Sequence, residues 1–170
     1  MKICIGGTFN ILHKGHKHLL EKAFELIGFN GNVFIGLSSG DLIKDKMEIK
    51  PFDARKKVLE QYLSRKGFLK RAIIKPITDK YGPSIDEEFD AIVVSPETFK
   101  TAEEINNKRL EKGKKPLKIV QIPFVMADDG LPISSTRIIN QEIDENGRVL
   151  KRSNFIYRIL LHRKKKGDKT

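Results

Sequence analysis

The 170-residue sequence predicts an α/β fold with a doubly wound, five-stranded parallel sheet. Short β-branched runs alternate with longer segments of helical periodicity, which is typical of parallel strands joined by crossover helices. Each connection between runs is long enough to contain a helix. A glycine-containing turn directly after the first strand supports the same architecture, because sheets of this kind have their functional turns at the carboxyl ends of the strands.

The individual elements follow from the spacing of apolar residues. Strands are predicted at residues 2–6, 32–38, 71–75, 90–95 and 118–122, and helices at residues 15–27, 52–65, 98–111 and 134–140. The first helix has apolar residues at helical spacing, and the second follows Pro51. One domain is predicted at residues 1–141, with residues 142–170 as a C-terminal extension that has a basic, flexible end.

The composition excludes several classes of protein. The chain is 39% hydrophobic and 32% charged, and it has no apolar run near the roughly 20 residues that a membrane span needs. No basic segment followed by an apolar one precedes the first strand, so we expect a soluble, cytoplasmic protein without a membrane partner. A single cysteine, Cys4, excludes an internal disulfide and is predicted to be a small core side chain.

The basic character of the chain raises a nucleic-acid hypothesis that its distribution weakens. The net charge is +11, from 33 Lys and Arg against 22 Asp and Glu. These basic residues are spread over predicted helix faces and end in a cluster at residues 162–166, which we expect to be solvated. No RNA-recognition or zinc-finger signature accompanies them, so nucleic acid is not the expected partner. An excess of positive charge also suits small anionic substrates.

The first strand is followed by a segment that indicates phosphate binding, Gly6-Gly7-Thr8-Phe9-Asn10-Ile11-Leu12-His13-Lys14-Gly15-His16. A strand, a glycine-containing loop and an amphipathic helix occur in direct succession. The start of such a helix has free backbone N–H groups and a partial positive charge. His13 and His16 are expected at that end, where phosphate oxygens are the natural ligand.

A second segment, Ile133-Ser134-Ser135-Thr136-Arg137, opens a helix after a Gly-Leu-Pro loop. Ser and Thr are the residues expected at a helix N-cap. Three successive hydroxyl groups with an arginine supply more donors than a cap requires, and a triphosphate would use the additional ones.

These two segments resemble the signatures of the nucleotidylyltransferase superfamily, [HT]-x-G-H after the first strand and I-S-S-T-x-[IR] near the triphosphate tail. Residues 93–98, followed by Glu104, Asn107 and Arg109, resemble the V-S-x-E-T…N-x-x-R stretch of the archaeal and eukaryotic form of the phosphopantetheine adenylyltransferase family. Residues 79–83 look like the D-x-x-G-P loop of that family. The resemblance covers roughly residues 1 to 140. It implies a Rossmann-like nucleotidylyltransferase fold.

The resemblance implies an enzyme of coenzyme A biosynthesis that transfers AMP from ATP to 4′-phosphopantetheine, giving dephospho-coenzyme A and pyrophosphate. Mg²⁺ is expected on the ATP phosphates, with no metal site in the chain itself. His16 is the expected transition-state stabiliser and His13 its support. Between two lysines that follow the second strand, Lys44 is favoured over Lys46 as a catalytic, phosphate-contacting residue.

Further site residues are implied by the matched motifs. The sequence departs from the bacterial form of the family at its first motif and at residues 95–98, so only matched positions are carried over. The acceptor phosphate is assigned to Thr8, Lys44 and Lys46, and the nucleotide to Gly7, Thr8, Phe9, His13, His16, Ser95, Glu97, Thr98, Arg109, Ser134, Ser135, Thr136 and Arg137.

Two classes of alternative remain. One is another transferase of the same superfamily, such as a cytidylyltransferase or an adenylyltransferase acting on flavin or nicotinamide mononucleotide. The other is a non-enzymatic basic module that binds nucleotide or RNA. The sequence leaves open the oligomeric state, regulation by coenzyme A, the residues that read adenine and the role of residues 142–170.

Overall fold

A computed structural model describes residues 1–46 and 48–150 of the chain. Five parallel strands form one sheet: β1 (Lys2–Gly7), β2 (Asn32–Ser38), β3 (Ala72–Ile77), β4 (Ala91–Val94) and β5 (Lys118–Gln121). Their spatial order is β3-β2-β1-β4-β5, so the strand order reverses between β1 and β4. This is the predicted doubly wound arrangement, and its ligand crevice is expected at that reversal.

Four α-helices accompany these strands in the described residues: α1 (Lys14–Ile27), α2 (Phe52–Arg65), α3 (Phe99–Glu111) and α4 (Ser135–Ile139). Short 3₁₀ turns lie at Gly40–Ile43, Leu69–Arg71 and Gly82–Ser84. In the parts of the chain that the structure describes, no helix combines the length and the apolar character needed to cross a membrane.

Alternating side chains of each strand divide the core between the two faces of the sheet. Ile3 and Ile5 of β1 pack with α1 and α2 on one face, whereas Cys4 packs with α3 on the other. Full burial of an isoleucine side chain contributes about 1.5–3 kcal/mol to the free energy of folding. Both faces are therefore covered by helices, as a parallel sheet requires.

Every predicted strand and helix is present, and each end lies within two residues of its predicted position. The largest difference is β3, which continues to Ile77 through Pro76 instead of ending at residue 75. Proline lacks a backbone N–H group, but β3 is an edge strand with β2 on one side only, so one row of its N–H groups has no ladder partner to lose.

Residues 142–150 pack against the domain. Ile143 is fully buried in a small cluster with Ala127 and Ile133, and the Lys14 N–H donates to the Glu145 carbonyl at 2.9 Å. This contact joins the segment to the start of α1. The boundary placed between residues 141 and 142 stays a prediction, and the proposed flexible end and basic cluster lie outside the described residues.

Candidate active site

A cavity of about 840 Å³ opens at the carboxyl ends of β1 and β4, where the strand order reverses. Both sequence segments expected to bind phosphate line this one cavity, although they are more than 100 residues apart in the chain. Twelve of the predicted site residues line it: Gly7, Thr8, Phe9, His13, His16, Lys46, Ser95, Glu97, Thr98, Ser134, Ser135 and Thr136.

Two stacked imidazole rings stand at the start of α1. The rings of His13 and His16 have centroids 3.8 Å apart and planes 20° apart. The ring of Phe9 lies 5.0 Å from that of His16 on the cavity wall. His13 is the N-cap of α1, and its side chain accepts a hydrogen bond from the His16 N–H. The stack thus follows from the one-turn spacing of the histidines and from this cap.

Gly15 makes room for the stack. A Cβ atom at this position would lie 3.1 Å from Cε1 and 3.2 Å from Nδ1 of His13. Contacts this short would displace the His13 ring, whose Nδ1 caps the helix. The glycine between the two histidines therefore has a steric role at the site in addition to its position on the helix.

The hydrogen bonds of the two rings fix their protons. Nδ1 of His16 lies 2.9 Å from the carbonyl oxygen of Ile11, which can only accept, so this nitrogen carries the proton. Nδ1 of His13 accepts from the His16 N–H at 3.4 Å, so a neutral His13 has its proton on Nε2. The two rings therefore present opposite functions when neutral, a donor at Nε2 of His13 and an acceptor at Nε2 of His16.

Both histidines are neutral at pH 7 in the free protein. Burial lowers the pKa of His13 from 6.5 to about 3, and the neighbouring His16 and Lys17 lower it further. Burial lowers the pKa of His16 to about 4, although the hydrogen bond to the Ile11 carbonyl works in the opposite direction. The site is thus prepared for an anionic ligand, which would favour the protonated rings.

The structure favours Lys46 over Lys44. Lys46 lines the cavity, and its Nζ donates to the Thr8 hydroxyl at 3.0 Å. Lys44 follows the 3₁₀ turn Gly40–Ile43 and lies outside the cavity lining, so the structure supports Lys46 for the role predicted for Lys44, and that role stays a prediction. This 3₁₀ turn, which precedes both lysines, was not predicted from the sequence.

The second phosphate segment is only partly available to a ligand. Ser134 caps α4 by accepting from the Arg137 N–H at 3.3 Å, and residues 134–136 line the cavity. Arg137 lies outside the lining, where its guanidinium group pairs with Asp129, Glu142 at 3.0 Å and the Pro132 carbonyl at 3.0 Å. Because the guanidinium group of Arg137 is paired within the protein, the structure gives its assignment to the nucleotide no support, and that assignment stays a prediction.

Arg109 is also a structural residue. It is 1% exposed on α3, outside the cavity lining. Its guanidinium donates to the carbonyls of Ser84 at 2.9 Å, Glu87 at 2.9 Å and Lys115 at 2.8 Å. Because these N–H groups already tie two loops to α3, the structure gives the predicted contact with nucleotide no support, and that contact stays a prediction.

The cavity also has an apolar part, on the face of the sheet that α3 covers. Its wall there consists of Phe34, Leu42, Ile77, Ile92 and Ile105. Tyr81 lines this part, and its hydroxyl donates to Glu104 at 3.1 Å. Nζ of Lys80 also donates to Glu104, which lowers the pKa of that carboxyl group.

Two polar residues near the turn after β1 were not assigned any role from the sequence. Asn10 is buried and lines the cavity. Arg55 on α2 is buried behind it and donates to the Thr8 carbonyl at 2.8 Å. The burial of Arg55 could have been predicted from the sequence, because Arg55 lies four residues before Leu59 on the apolar face of α2. An arginine in a core position of a helix indicates a specific buried partner.

Comparison with known proteins agrees with this geometry. The profile of the cytidylyltransferase-like family matches residues 4–141. A phosphopantetheine adenylyltransferase of Methanosarcina mazei is 46% identical over 88% of this chain and 97% of its own. The same enzyme of Archaeoglobus fulgidus is 42% identical, with 88% of this chain and 100% of that protein covered.

A solved structure also matches the fold. It is a crystal structure of an Archaeoglobus fulgidus protein of unknown function, 40% identical, with a TM-score of 0.65 over 72% of this chain and 89% of that one. Together with the cavity at the β1–β4 reversal and its paired histidines, these relationships show that the chain belongs to the phosphopantetheine adenylyltransferase family of cytidylyltransferase-like enzymes.

Proposed function

We propose that the protein transfers the adenylyl group of ATP to the phosphate of 4′-phosphopantetheine, giving dephospho-coenzyme A and pyrophosphate. The observation that carries this proposal is the stacked pair of His13 and His16, which faces the same cavity as Thr8, Lys46 and residues 134–136. Relatives that are 42–46% identical over most of the chain are named phosphopantetheine adenylyltransferase.

The reaction needs no covalent intermediate and no general base on the protein. A phosphate monoester is already an anionic nucleophile at neutral pH, so its oxygen attacks the α-phosphorus of ATP while the bond to the β-phosphate oxygen breaks. Catalysis then depends on in-line positioning and on stabilising the negative charge of the leaving pyrophosphate. Donors that face the cavity would supply that stabilisation.

The two histidines differ in how they would act on the phosphates. Neutral His13 has a donor at Nε2, because its Nδ1 accepts from the helix backbone. His16 has its proton on Nδ1, so its Nε2 becomes a donor only after the ring takes up a second proton. We infer that the triphosphate raises the pKa of His16 on binding, and that the resulting imidazolium stabilises the transition state.

Lys46 and Thr8 would position the acceptor phosphate. They already contact each other at 3.0 Å between Nζ and Oγ1, with Lys46 at the cavity wall. A lysine placed between nucleophile and nucleotide reduces the repulsion of two anions. Ser134, Ser135 and Thr136 would donate to the far end of the triphosphate from the opposite wall.

Mg²⁺ would enter as the magnesium complex of ATP. The described residues contain no group of three or more His, Cys, Asp or Glu side chains suited to a metal ion. Mg²⁺ is usually held through substrate phosphates and waters, so it would need few ligands from the chain and would supply positive charge at the triphosphate. It would neutralise part of the charge on the leaving pyrophosphate. We also propose the cytoplasm as the location, where an unpaired thiol such as Cys4 is common.

The apolar part of the cavity favours an extended acceptor. Phosphopantetheine has a long arm with a dimethyl-substituted carbon, whereas glycerol 3-phosphate is small and polar throughout. The wall formed by Phe34, Ile77 and Ile92 would bury part of that arm. A small polar acceptor would leave this apolar wall in contact with water.

Pyrophosphate release by the purified protein with Mg²⁺ tests the proposal. ATP and CTP are each combined with phosphopantetheine, glycerol 3-phosphate, flavin mononucleotide and nicotinamide mononucleotide. Release only with ATP and phosphopantetheine, with dephospho-coenzyme A identified by mass, is the expected result. Release with another pair would retain the reaction type and replace the acceptor. If no pair reacts, a salt series with labelled RNA tests the non-enzymatic alternative.

A further inference from the structure

The segment that contains Lys46 is fastened to the turn after β1 by a buried polar residue. Asn10 is 6% exposed. Its Nδ2 donates to the Glu48 carbonyl at 3.0 Å, and its Oδ1 accepts from the Lys50 N–H at 2.8 Å. One side chain therefore satisfies a donor and an acceptor in a segment some 40 residues further along the chain.

Arg55 fastens the same two regions from the other side. Its Nε donates to the Lys50 carbonyl and its Nη1 to the Thr8 carbonyl, both at 2.8 Å. Arg55 is 1% exposed, and burial lowers its pKa. Its Nη2 is buried without a hydrogen-bond partner among the described residues. A cation in such surroundings has a high desolvation cost, which indicates a role that a neutral core residue would not fill.

Both ends of this connection have unfavourable backbone geometry. Phe9 has φ of 45° and Glu48 has φ of 57°, in the left-handed region that side chains with a Cβ atom rarely adopt. Arg55 binds the carbonyl directly before Phe9, and Asn10 binds the carbonyl of Glu48 itself. Left-handed geometry costs about 1–2 kcal/mol per residue, so each of these turns needs the contact beside it.

We propose that Asn10 and Arg55 are positioning residues, which fix Lys46 and Thr8 in the geometry that receives the reacting phosphates before substrate arrives. The inference rests on the proposed transfer reaction. Neither residue needs to touch substrate to act in this way. A lysine on an exposed loop would otherwise lose conformational entropy at each turnover, and a displacement of about 1 Å at a reacting site costs on the order of 100-fold in rate.

The experiment is a double-mutant cycle in kcat between Asn10→Ala and Lys46→Ala, measured below the melting temperature of every variant. Asn10→Ala is expected to lower kcat by about 10- to 100-fold in the wild-type background and by less than about 3-fold when Lys46 is already alanine. Equal losses in both backgrounds would show that Asn10 does not act through Lys46, and would overturn the proposal.

Arg55 is tested by two substitutions and a matched control. Arg55→Lys retains the positive charge but has one donor group where the guanidinium has a fork, and Arg55→Met removes both. Both are expected to lower kcat, with Met the more severe. Tyr62→Phe is the control, because it removes a partly buried hydrogen bond from the same helix, to Glu21 at 2.8 Å, outside the cavity. A kcat that fell equally in Tyr62→Phe would assign the effect to loss of helix stability.

Hydrogen exchange separates failure of this inference from failure of the transfer proposal. The Lys50 amide donates to Asn10, so Asn10→Ala is expected to accelerate its exchange in the free protein, whatever the reaction. Unchanged exchange would overturn the inference even if no acceptor is adenylylated. An active wild type whose Asn10 and Arg55 variants keep their kcat would overturn the inference while leaving the transfer proposal intact.

Discussion

Two buried arginines, one on each side of the sheet, differ in how completely the protein satisfies them. Arg109 on α3 donates to four backbone carbonyls from its Nε and Nη1 atoms. Arg55 on α2 donates to two and has a buried Nη2 with no partner in the described residues. Both are 1% exposed. Their surroundings, and not their burial, distinguish a structural arginine from one beside a functional turn.

The same contrast extends to the regions around them. One side of the site is built by β1, α1 and the segment before α2. It contains two histidines of lowered pKa and two non-glycine residues in the left-handed region, Phe9 and Glu48. The loops around Arg109 have paired backbone groups and, within the described residues, no histidine. We therefore expect substitutions in the first region to affect activity more than stability, and substitutions around Arg109 to do the reverse.

The largest expected effect is on turnover, in the first region. His16→Ala should lower kcat by about 100- to 10,000-fold, since it removes a proposed transition-state donor. ATP binding measured by calorimetry should change far less. His18→Ala on the same helix is the matched control, because His18 lies outside the main cavity. If ATP affinity fell in proportion to kcat, His16 would act in ground-state binding and the assignment would be wrong.

The next largest effect is on stability, in the second region. Arg109→Met should lower the free energy of unfolding by about 3–5 kcal/mol, because it leaves several buried carbonyls without donors. Urea unfolding measures this loss. The kcat of the folded variant should remain within about 3-fold of wild type, because residues that are distant from a site are only weakly coupled to it. A variant that folds normally but loses ATP affinity would instead restore the nucleotide contact expected from the sequence.

A third expected effect is a pH dependence of stability that arises in the first region and not around Arg109. The pKa values of His13 and His16 fall from 6.5 to about 3 and about 4 on folding. Between these values and 6.5 the unfolded chain binds more protons at these two residues, so their contribution to stability is greatest above pH 6.5 and is lost as the pH decreases. Each histidine contributes at most about 1.4 kcal/mol per pH unit in that range.

Melting temperatures from pH 4.5 to 7 test this dependence. The double variant His13→Gln, His16→Gln should lose less stability on acidification than the wild type, while Arg109→Met should have the wild-type slope. Equal slopes in all three proteins would mean that the histidines titrate normally in the folded state.

The smallest expected effect is the uptake of less than one proton per protein molecule when ATP binds. Because Nε2 of His16 needs a proton to donate to phosphate, ATP binding near pH 6.5 should take up protons. Calorimetry in buffers of different ionisation enthalpy measures this uptake, and His16→Asn should reduce it. Binding without proton uptake in the wild type would show that neutral His16 meets the ligand.

The strands, the helices and the two segments expected to bind phosphate were predictable because each depends on periodic or contiguous residues. The apolar spacing of α1 and the glycine-containing turn before it can be recognised directly in the sequence. The sequence did not indicate which of Lys44 and Lys46 lines the cavity, because both follow an exposed 3₁₀ turn that has no sequence pattern of its own. Asn10 and Arg55 have backbone carbonyls and amides as partners, and such groups are present at every position and leave no pattern in the sequence.

Arg109 and Arg137 are the predicted nucleotide contacts that the structure supports least. Each occurs in a motif that resembles a nucleotide-binding element, and each is paired within the protein. The residue type was correct for an anion contact, but the sequence could not show that carbonyls and carboxylates of nearby loops already occupy the guanidinium groups.

Cys4, the third residue of β1, makes this protein convenient for spectroscopy. It is the only cysteine of the chain, it is buried between the Ser84 hydroxyl and the Ala91 carbonyl, and burial raises its pKa to about 11. A protonated, enclosed thiol reacts slowly with maleimides. One cysteine introduced at the rim would therefore accept a fluorophore selectively without any change to the native sequence elsewhere, and movements of the Lys46 segment would become visible in real time.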